Sequence, residues 1–257
     1  MIVCINYFID PAYLFKGKKY EDGIADILSK NKNVANITNY DERLVQKYYI
    51  QRLYNKKDIV VLGSSRAMQI KAENFPGQSF FNSSVTGASI EDYMAIYYLY
   101  RKSGLLPSKI IMAVDPWILN KNNGQTRFSS LEKEYLMMMD LLRFRRNNHL
   151  LKGLTSDRFI QLISLTYFQA SIKEAWGKIL GSGSLNKGDY FATDKEEGET
   201  PIKNKDGSYS YDAKTRTMNF SEVKKVAKNY ANEKNVNSLN LFNEIDPDFR
   251  ELTERLV

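Results

Sequence analysis

The stretch Asp58-Ile59-Val60-Val61-Leu62-Gly63-Ser64-Ser65-Arg66 decides how the rest of the chain is read. Four consecutive apolar residues, three of them β-branched, stop at a glycine and two small polar residues. A short unbroken run of this kind is the pattern of a strand covered on both faces, as in parallel sheets. Two more strands follow. Ser79-Phe80-Phe81-Asn82 is the weaker; Lys109-Ile110-Ile111-Met112-Ala113-Val114, apolar after its first residue, reads as a third buried strand closed by Asp115-Pro116. Between them Ser89 reads as the N-cap of a helix from Ile90 to Arg101, with Glu91 and Asp92 in the first turn, where negative charge is favourable. Gly104 and Pro107 end that helix. The order β, α, β, α, β at this spacing predicts an α/β fold built on a parallel sheet with right-handed crossovers.

Working outward, Tyr20 to Lys30 has helical spacing with Ile24, Ile27 and Leu28 on one face. A helix from Asp41 to Tyr54 is expected with Asp41 as N-cap and Leu44, Tyr48, Gln51 and Leu53 toward its inner side. Downstream, Ser130 to Arg146 and Asp157 to Leu180 read as helices. Gly181 to Asn219 is a polar excursion with a hairpin at Asn204-Lys205-Asp206-Gly207. Ser221 is the expected N-cap of a helix to Glu233, and a last helix runs from Asp248 to Val257. This predicts four regions: a membrane-proximal segment, 1–40; an α/β core with the first three strands, 41–128; a mainly helical and loop insertion, 129–220; and helices leading toward further core strands, 221–257. Three strands fall short of the number usual in a doubly wound sheet, so the core is expected to be incomplete at the C-terminus, as in a fragment of a longer chain.

Composition narrows the chemistry. The 257 residues are 43% hydrophobic and 26% charged, which suits a folded globular chain. The net charge of +7 is spread among acidic residues without a basic run, so no nucleic-acid role is expected. One cysteine, Cys4, forbids an internal disulfide, and one histidine, His149, excludes metal centres that need two. No calcium-ligand spacing appears in the Asp-rich stretch after Gly183. No metal and no cofactor is therefore expected. The apolar run Ile2 to Ile9 is far shorter than the roughly 20 residues of a spanning helix. Two readings of it stand side by side: a buried N-terminal strand, or the tail of a membrane anchor that begins upstream.

In open α/β sheets, ligands bind beyond the carboxyl ends of the strands. Gly63-Ser64-Ser65-Arg66, Asn82 to Gly87 and Asp115-Pro116-Trp117 converge there. A serine at the start of a helix can attack a carbonyl while nearby amides hold the oxyanion.

These residues carry a likeness. Val60-Val61-Leu62-Gly63-Ser64-Ser65-Arg66 resembles the first block of the SGNH (GDSL-type) hydrolases. Phe81-Asn82-Ser83-Ser84-Val85-Thr86-Gly87-Ala88-Ser89 resembles their second block, and Ile110 to Pro116 occupies the third. The likeness is greatest to the membrane-associated, cell-envelope branch, which includes DltD-like alanyl-transfer proteins and polysaccharide O-acetylation factors. Asn6-Tyr7-Phe8-Ile9-Asp10-Pro11 fits the segment that follows the membrane helix in that branch.

The resemblance implies a three-layer, flavodoxin-like parallel sheet, and a serine esterase or O-acyltransferase acting on a cell-envelope glycan ester. It implies an extracytoplasmic location, an N-terminal anchor and a membrane-bound acyltransferase partner. By position, Ser65 would be the nucleophile, and the Ser65 amide and Gly87 the oxyanion donors. Gly63, Ser64, Arg66, Asn82 and Asp115 would line the site. Two departures stand out. Asp115 occupies the place of the family's Asn donor, leaving Asn82 as a substitute. The family's Asp-x-x-His is lacking, since Arg146 precedes His149 at that spacing. His149 itself reads as a surface residue at a helix C-terminus.

Either the base lies on further sequence or the protein is catalytically inert. Two rival readings follow: a non-catalytic binding or assembly protein of the same fold, and an anion-binding module using the turn from Gly63 to Arg66. Arg66 is also expected to pair with Asp115 or Glu91. Trp117, the Met137-Met138-Met139 run and the Tyr97 to Tyr100 stripe read as packing.

Overall fold

The computed structural model describes residues 2–9, 18–37, 40–120, 122, 124–144, 168–169, 171–172, 190–232 and 242–256. The chain opens with helix α1 (Ile2–Ile9), not a strand. An apolar run of this length does not by itself distinguish the two. Asn6 faces inward and accepts a 3.0 Å bond from the Ser171 hydroxyl. Helix α2 (Lys18–Ser29) buries Ile24, Ala25 and Leu28. A short strand, β1 (Asn33–Ala35), follows.

Helix α3 (Glu42–Gln51) is capped by Asp41, whose Oδ1 accepts the Arg43 amide at 2.9 Å. Its inner face carries Val45, Tyr49 and Ile50 together with Arg43 and Gln46, one residue round from the expected line. Leu44 and Tyr48 are half-buried and Gln51 is exposed. The buried Arg43 and Gln46 rotate the inner stripe, because polar residues that find partners count as interior positions.

Strand β2 (Ile59–Leu62) is wholly buried. Two 3-10 turns, Ala67–Gln69 and Ala72–Asn74, lead to β3 (Phe80–Asn82). The expected helix between these strands is absent: after the tight turn at Ser64–Arg66 few residues remain before Pro76, which cannot sit inside a helix. Helix α4 (Ile90–Lys102) starts at Ser89 in a capping box, with the Ser89 amide donating to Asp92 Oδ2 at 2.9 Å. Strand β4 (Lys109–Met112) is only half covered, against the expectation of a buried strand. Further 3-10 turns, Pro116–Leu119 and Arg127–Leu131, precede α5 (Glu132–Leu141). In α5, Met138 and Met139 are buried, whereas Met137 is exposed.

The polar region after Tyr190 is more ordered than expected. It holds β5 (Phe191–Thr193), β6 (Ile202–Lys203) and β7 (Tyr209–Ser210), then the single-turn helix α6 (Ala213–Arg216). Helix α7 (Phe220–Asn232) is capped not by Ser221 but by Asn219. Asn219 Oδ1 accepts the Glu222 amide at 3.0 Å, and the Asn219 backbone amide donates to Glu222 Oε2 at 2.8 Å. Helix α8 (Pro247–Leu256) comes last. The helix expected over Asp157 to Leu180 lies mostly outside the described residues, and His149 lies wholly outside them.

The strands form two sheets. One is parallel with order β3-β2-β4, and the other antiparallel with order β5-β1-β6-β7. The protein is thus mixed α/β. One face of the parallel sheet, with Val60, Leu62 and Phe81, packs into the principal core with α2 to α5 and Leu252 of α8. The other face, Ile59, Val61 and Phe80, is covered by Ala67, Ile70 and Phe75 from the 3-10 turns. The regions expected as a membrane-proximal segment, an insertion and an outgoing helix all contribute to one core, through Val34, Met138 and Leu252. Among the described residues, no helix is long and apolar enough to cross a membrane.

Candidate functional site

The three expected loops do meet at the carboxyl ends of β3, β2 and β4. Pairing continues past the strands: the Val85 amide donates to Gly63 O at 3.0 Å, and the Ala113 amide to Leu62 O at 2.9 Å. Gly63 sits where all three converge. A Cβ built there would lie 2.4 Å from Ala67 Cβ, 3.0 Å from Ser84 Oγ and 3.1 Å from Ala113 Cβ, so only glycine fits.

The two serines that follow differ. Ser64 is fully buried, and its hydroxyl accepts the Arg66 amide at 3.3 Å, an ordinary turn role. Ser65 is half-exposed and makes no hydrogen bond among the described residues, so its hydroxyl is the one open to solvent. The chain then makes a single 3-10 turn instead of a helix. The helix dipole expected to favour an anion at Gly63 to Arg66 is therefore missing, and the anion-binding reading loses its physical basis.

Arg66 ties the rim together. Its guanidinium lies 4.8 Å from the Trp117 ring centroid, and its Nη1 is 3.4 Å from Asp115 Oδ1. Trp117 is buried and donates from Nε1 to Ala88 O at 3.3 Å, beside Gly87. The Ser65 turn, the Gly87 loop and the Asp115 loop are thus linked through two side chains. The Arg66–Asp115 pair was expected; with Arg66 largely exposed it contributes little by itself. Asp115 is nearly buried, and its Oδ2 has no hydrogen-bond partner among the described residues. Burial, helped by the charges of Asp115 and Asp92, pushes the neighbouring Tyr93 phenol upward, so it stays a donor to Ala113 O at 2.7 Å.

Asn82 is committed elsewhere. Its Nδ2 donates to Ala67 O at 2.8 Å and Ile70 O at 2.9 Å, while its Oδ1 accepts the Ser84 amide at 3.0 Å. It braces the serine loop from below, and both of its amide protons are already taken. Gly87 has φ +57, as glycine allows, and a Cβ there would lie 2.9 Å from Arg127 Nη1. An exposed guanidinium therefore stands over the Gly87 backbone. Nothing in the sequence around Arg127 signals this, because the residue arrives from a separate 3-10 turn.

Two further supports escaped the sequence. From α3, Glu42 Oε1 accepts the Thr86 hydroxyl at 2.9 Å, and its other oxygen accepts the Thr86 amide. Arg43 binds Asp92 through two nitrogens at 2.6 and 2.8 Å and also reaches Thr86 O at 3.2 Å. From the antiparallel sheet, the β6–β7 turn docks on the outer edge of β3. Asp206 O accepts the Asn82 amide at 2.7 Å, and Asp206 Oδ2 accepts the Ala72 amide at 2.8 Å. Gly207 has φ +81, and a Cβ there would come within 2.3 Å of Asn82 O. The hairpin was legible in Asn204-Lys205-Asp206-Gly207; its docking partner was not.

A groove of about 290 Å³ is lined by Leu62 of β2, Ile110 and Met112 of β4, Tyr97 of α4, and Leu106 and Pro107; Ser65 does not line it. Among the described residues, no group of three or more His, Cys, Asp or Glu is placed to hold a metal ion. Comparison of the chain with family models, curated proteins and solved structures found no match.

Proposed function

We propose that the protein is an SGNH-like serine esterase or O-acyltransferase that acts on an ester of a cell-envelope glycan, with Ser65 as nucleophile. The observation that carries this reading is the contrast between two adjacent serines at the carboxyl end of the central strand. Ser64 is sealed into the turn, while Ser65 is partly exposed on the turn that Arg66 and Trp117 tie to the Asp115 and Gly87 loops. In this reading Ser65 Oγ attacks the ester carbonyl as its proton passes to a base outside the described residues; the backbone amides of Ser65 and Gly87 face the oxyanion, which collapses to acyl-Ser65 as the glycan C–O bond breaks and the glycan hydroxyl leaves with that proton. Arg127 takes the electrostatic part assigned by resemblance to Asn82, whose amide is spent on the loop. Asp115 and Arg66 line the rim. Membrane attachment through a preceding anchor and cooperation with a membrane-bound acyltransferase belong to the same proposal.

The test is covalent labelling of the full chain with a fluorophosphonate. Ser65 is the expected adduct site by peptide mass, and Ser65→Ala is expected to abolish labelling. An adduct at another residue, or labelling that survives in Ser65→Ala, refutes the assignment.

A second reading, a non-catalytic binding or assembly protein, is favoured by one observation: the carboxylate of Asp115 is nearly buried at the rim with one oxygen unpartnered among the described residues, which disfavours an oxyanion nearby. It predicts no adduct and no ester turnover, even when an external imidazole supplies the missing base.

A further inference from the structure

In helix α7 every side chain from Phe220 to Asn229 faces solvent. Phe220 is 83% exposed, Val226 54% and Val223 48%. At 3.6 residues per turn these three fall within an arc of about 120°. Lys224, Lys228 and Lys225 occupy the arc that adjoins it on one side. An apolar stripe open to water is a cost that a surface helix normally avoids by packing inward. Among the described residues the stripe stays uncovered, and the Asn219–Glu222 capping box holds the helix start in place all the same.

We propose that α7 is a docking surface for an anionic lipid bilayer, with the helix lying in the plane of the interface. In that position Phe220, Val223 and Val226 enter the headgroup–acyl boundary. The lysines, lying beside the stripe rather than opposite it, reach outward to lipid phosphates with their methylene stems along the apolar layer. A second copy of the chain fits less well. Three apolar side chains on a convex helix cover far less than the roughly 800 Å² per partner of a stable interface, and two such faces would bring like charges together. A bilayer needs no complementary groove, and its anionic phosphates are opposite in charge to the lysine flank. The surplus of +7 over the whole chain adds to the attraction.

The test uses the full chain and sedimentation with two kinds of vesicle: phosphatidylcholine alone, and equal parts phosphatidylcholine and phosphatidylglycerol. Binding to the anionic vesicles that weakens as salt is raised is expected, with little binding to the neutral ones. Replacing Lys224, Lys225 and Lys228 together by Gln is expected to lower partitioning by about tenfold or more. Phe220→Ser with Val226→Ser is expected to abolish it. Both variants alter exposed side chains only, and circular dichroism verifies that they fold.

No binding to anionic vesicles at low salt overturns the proposal, as does binding that both variants leave unchanged. So does a dimer, detected by light scattering, that Phe220→Ser with Val226→Ser converts to monomer. Labelling at Ser65 is independent of these results, so either proposal can fail without the other.

Discussion

Gly63 admits no side chain, and that single restriction sets the spacing of the three loops at the rim. Gly63→Ala is expected to destabilise the protein by about 1–3 kcal/mol, because Ala67, Ser84 and Ala113 must all give way. Chemical denaturation measures it. Lys203 is a different kind of constraint. Its side chain is buried and its Nζ has no hydrogen-bond partner among the described residues; burial lowers its titration, against the raising influence of Glu42 and Asp206. An amine that titrates lower in the folded protein leaves the unfolded chain holding the extra proton. The stability linked to Lys203 therefore rises with pH through the window between the two titrations, up to about 10.4. Lys203→Met is expected to stabilise the protein at pH 7 by on the order of 1 kcal/mol, seen as a few degrees in the thermal midpoint, with the gain shrinking toward the top of that window. Thermal melts over a pH series read out both.

At the scale of elements, the docked turn of β6–β7 is the least expected support of the site. Asp206→Ala removes the acceptor for the Ala72 amide and is expected to cost about 1–3 kcal/mol. Amide exchange in the segment 64–72 should rise more than in α4, as followed by mass spectrometry. Uniform protection across both segments would show that the turn does not hold the serine loop. What was legible beforehand follows from range. Strands β2 to β4, the caps Asp41 and Ser89, and the turn Asn204–Gly207 are written in residues close in sequence, where apolar period and turn chemistry act locally. Strand β1 carries no such pattern in its three residues Asn33–Ala35, since it is specified by β5 and β6 from far along the chain. The 3-10 turns in place of a helix between β2 and β3, the role of Arg127 and the commitment of Asn82 are likewise decided by groups that only folding brings near.

Across the whole molecule, the last helix shares one core with α2 to α5. Leu252 of α8 is completely buried beside α2 to α5, and the Asp246 amide donates to Leu119 O at 2.9 Å. Leu252→Ala is expected to cost about 2–5 kcal/mol and to lower a single melting transition, measured by calorimetry. A separate low-temperature step confined to α8 would mean that the helix melts on its own. The bond between Asp206 and Ala72 spans 134 positions. During synthesis, the segment bearing Ser65 leaves the ribosome long before its brace has been translated. The growing polypeptide therefore carries that loop unsecured until 134 further positions have been added, so the rim closes after the segments of the parallel sheet are already available to pair.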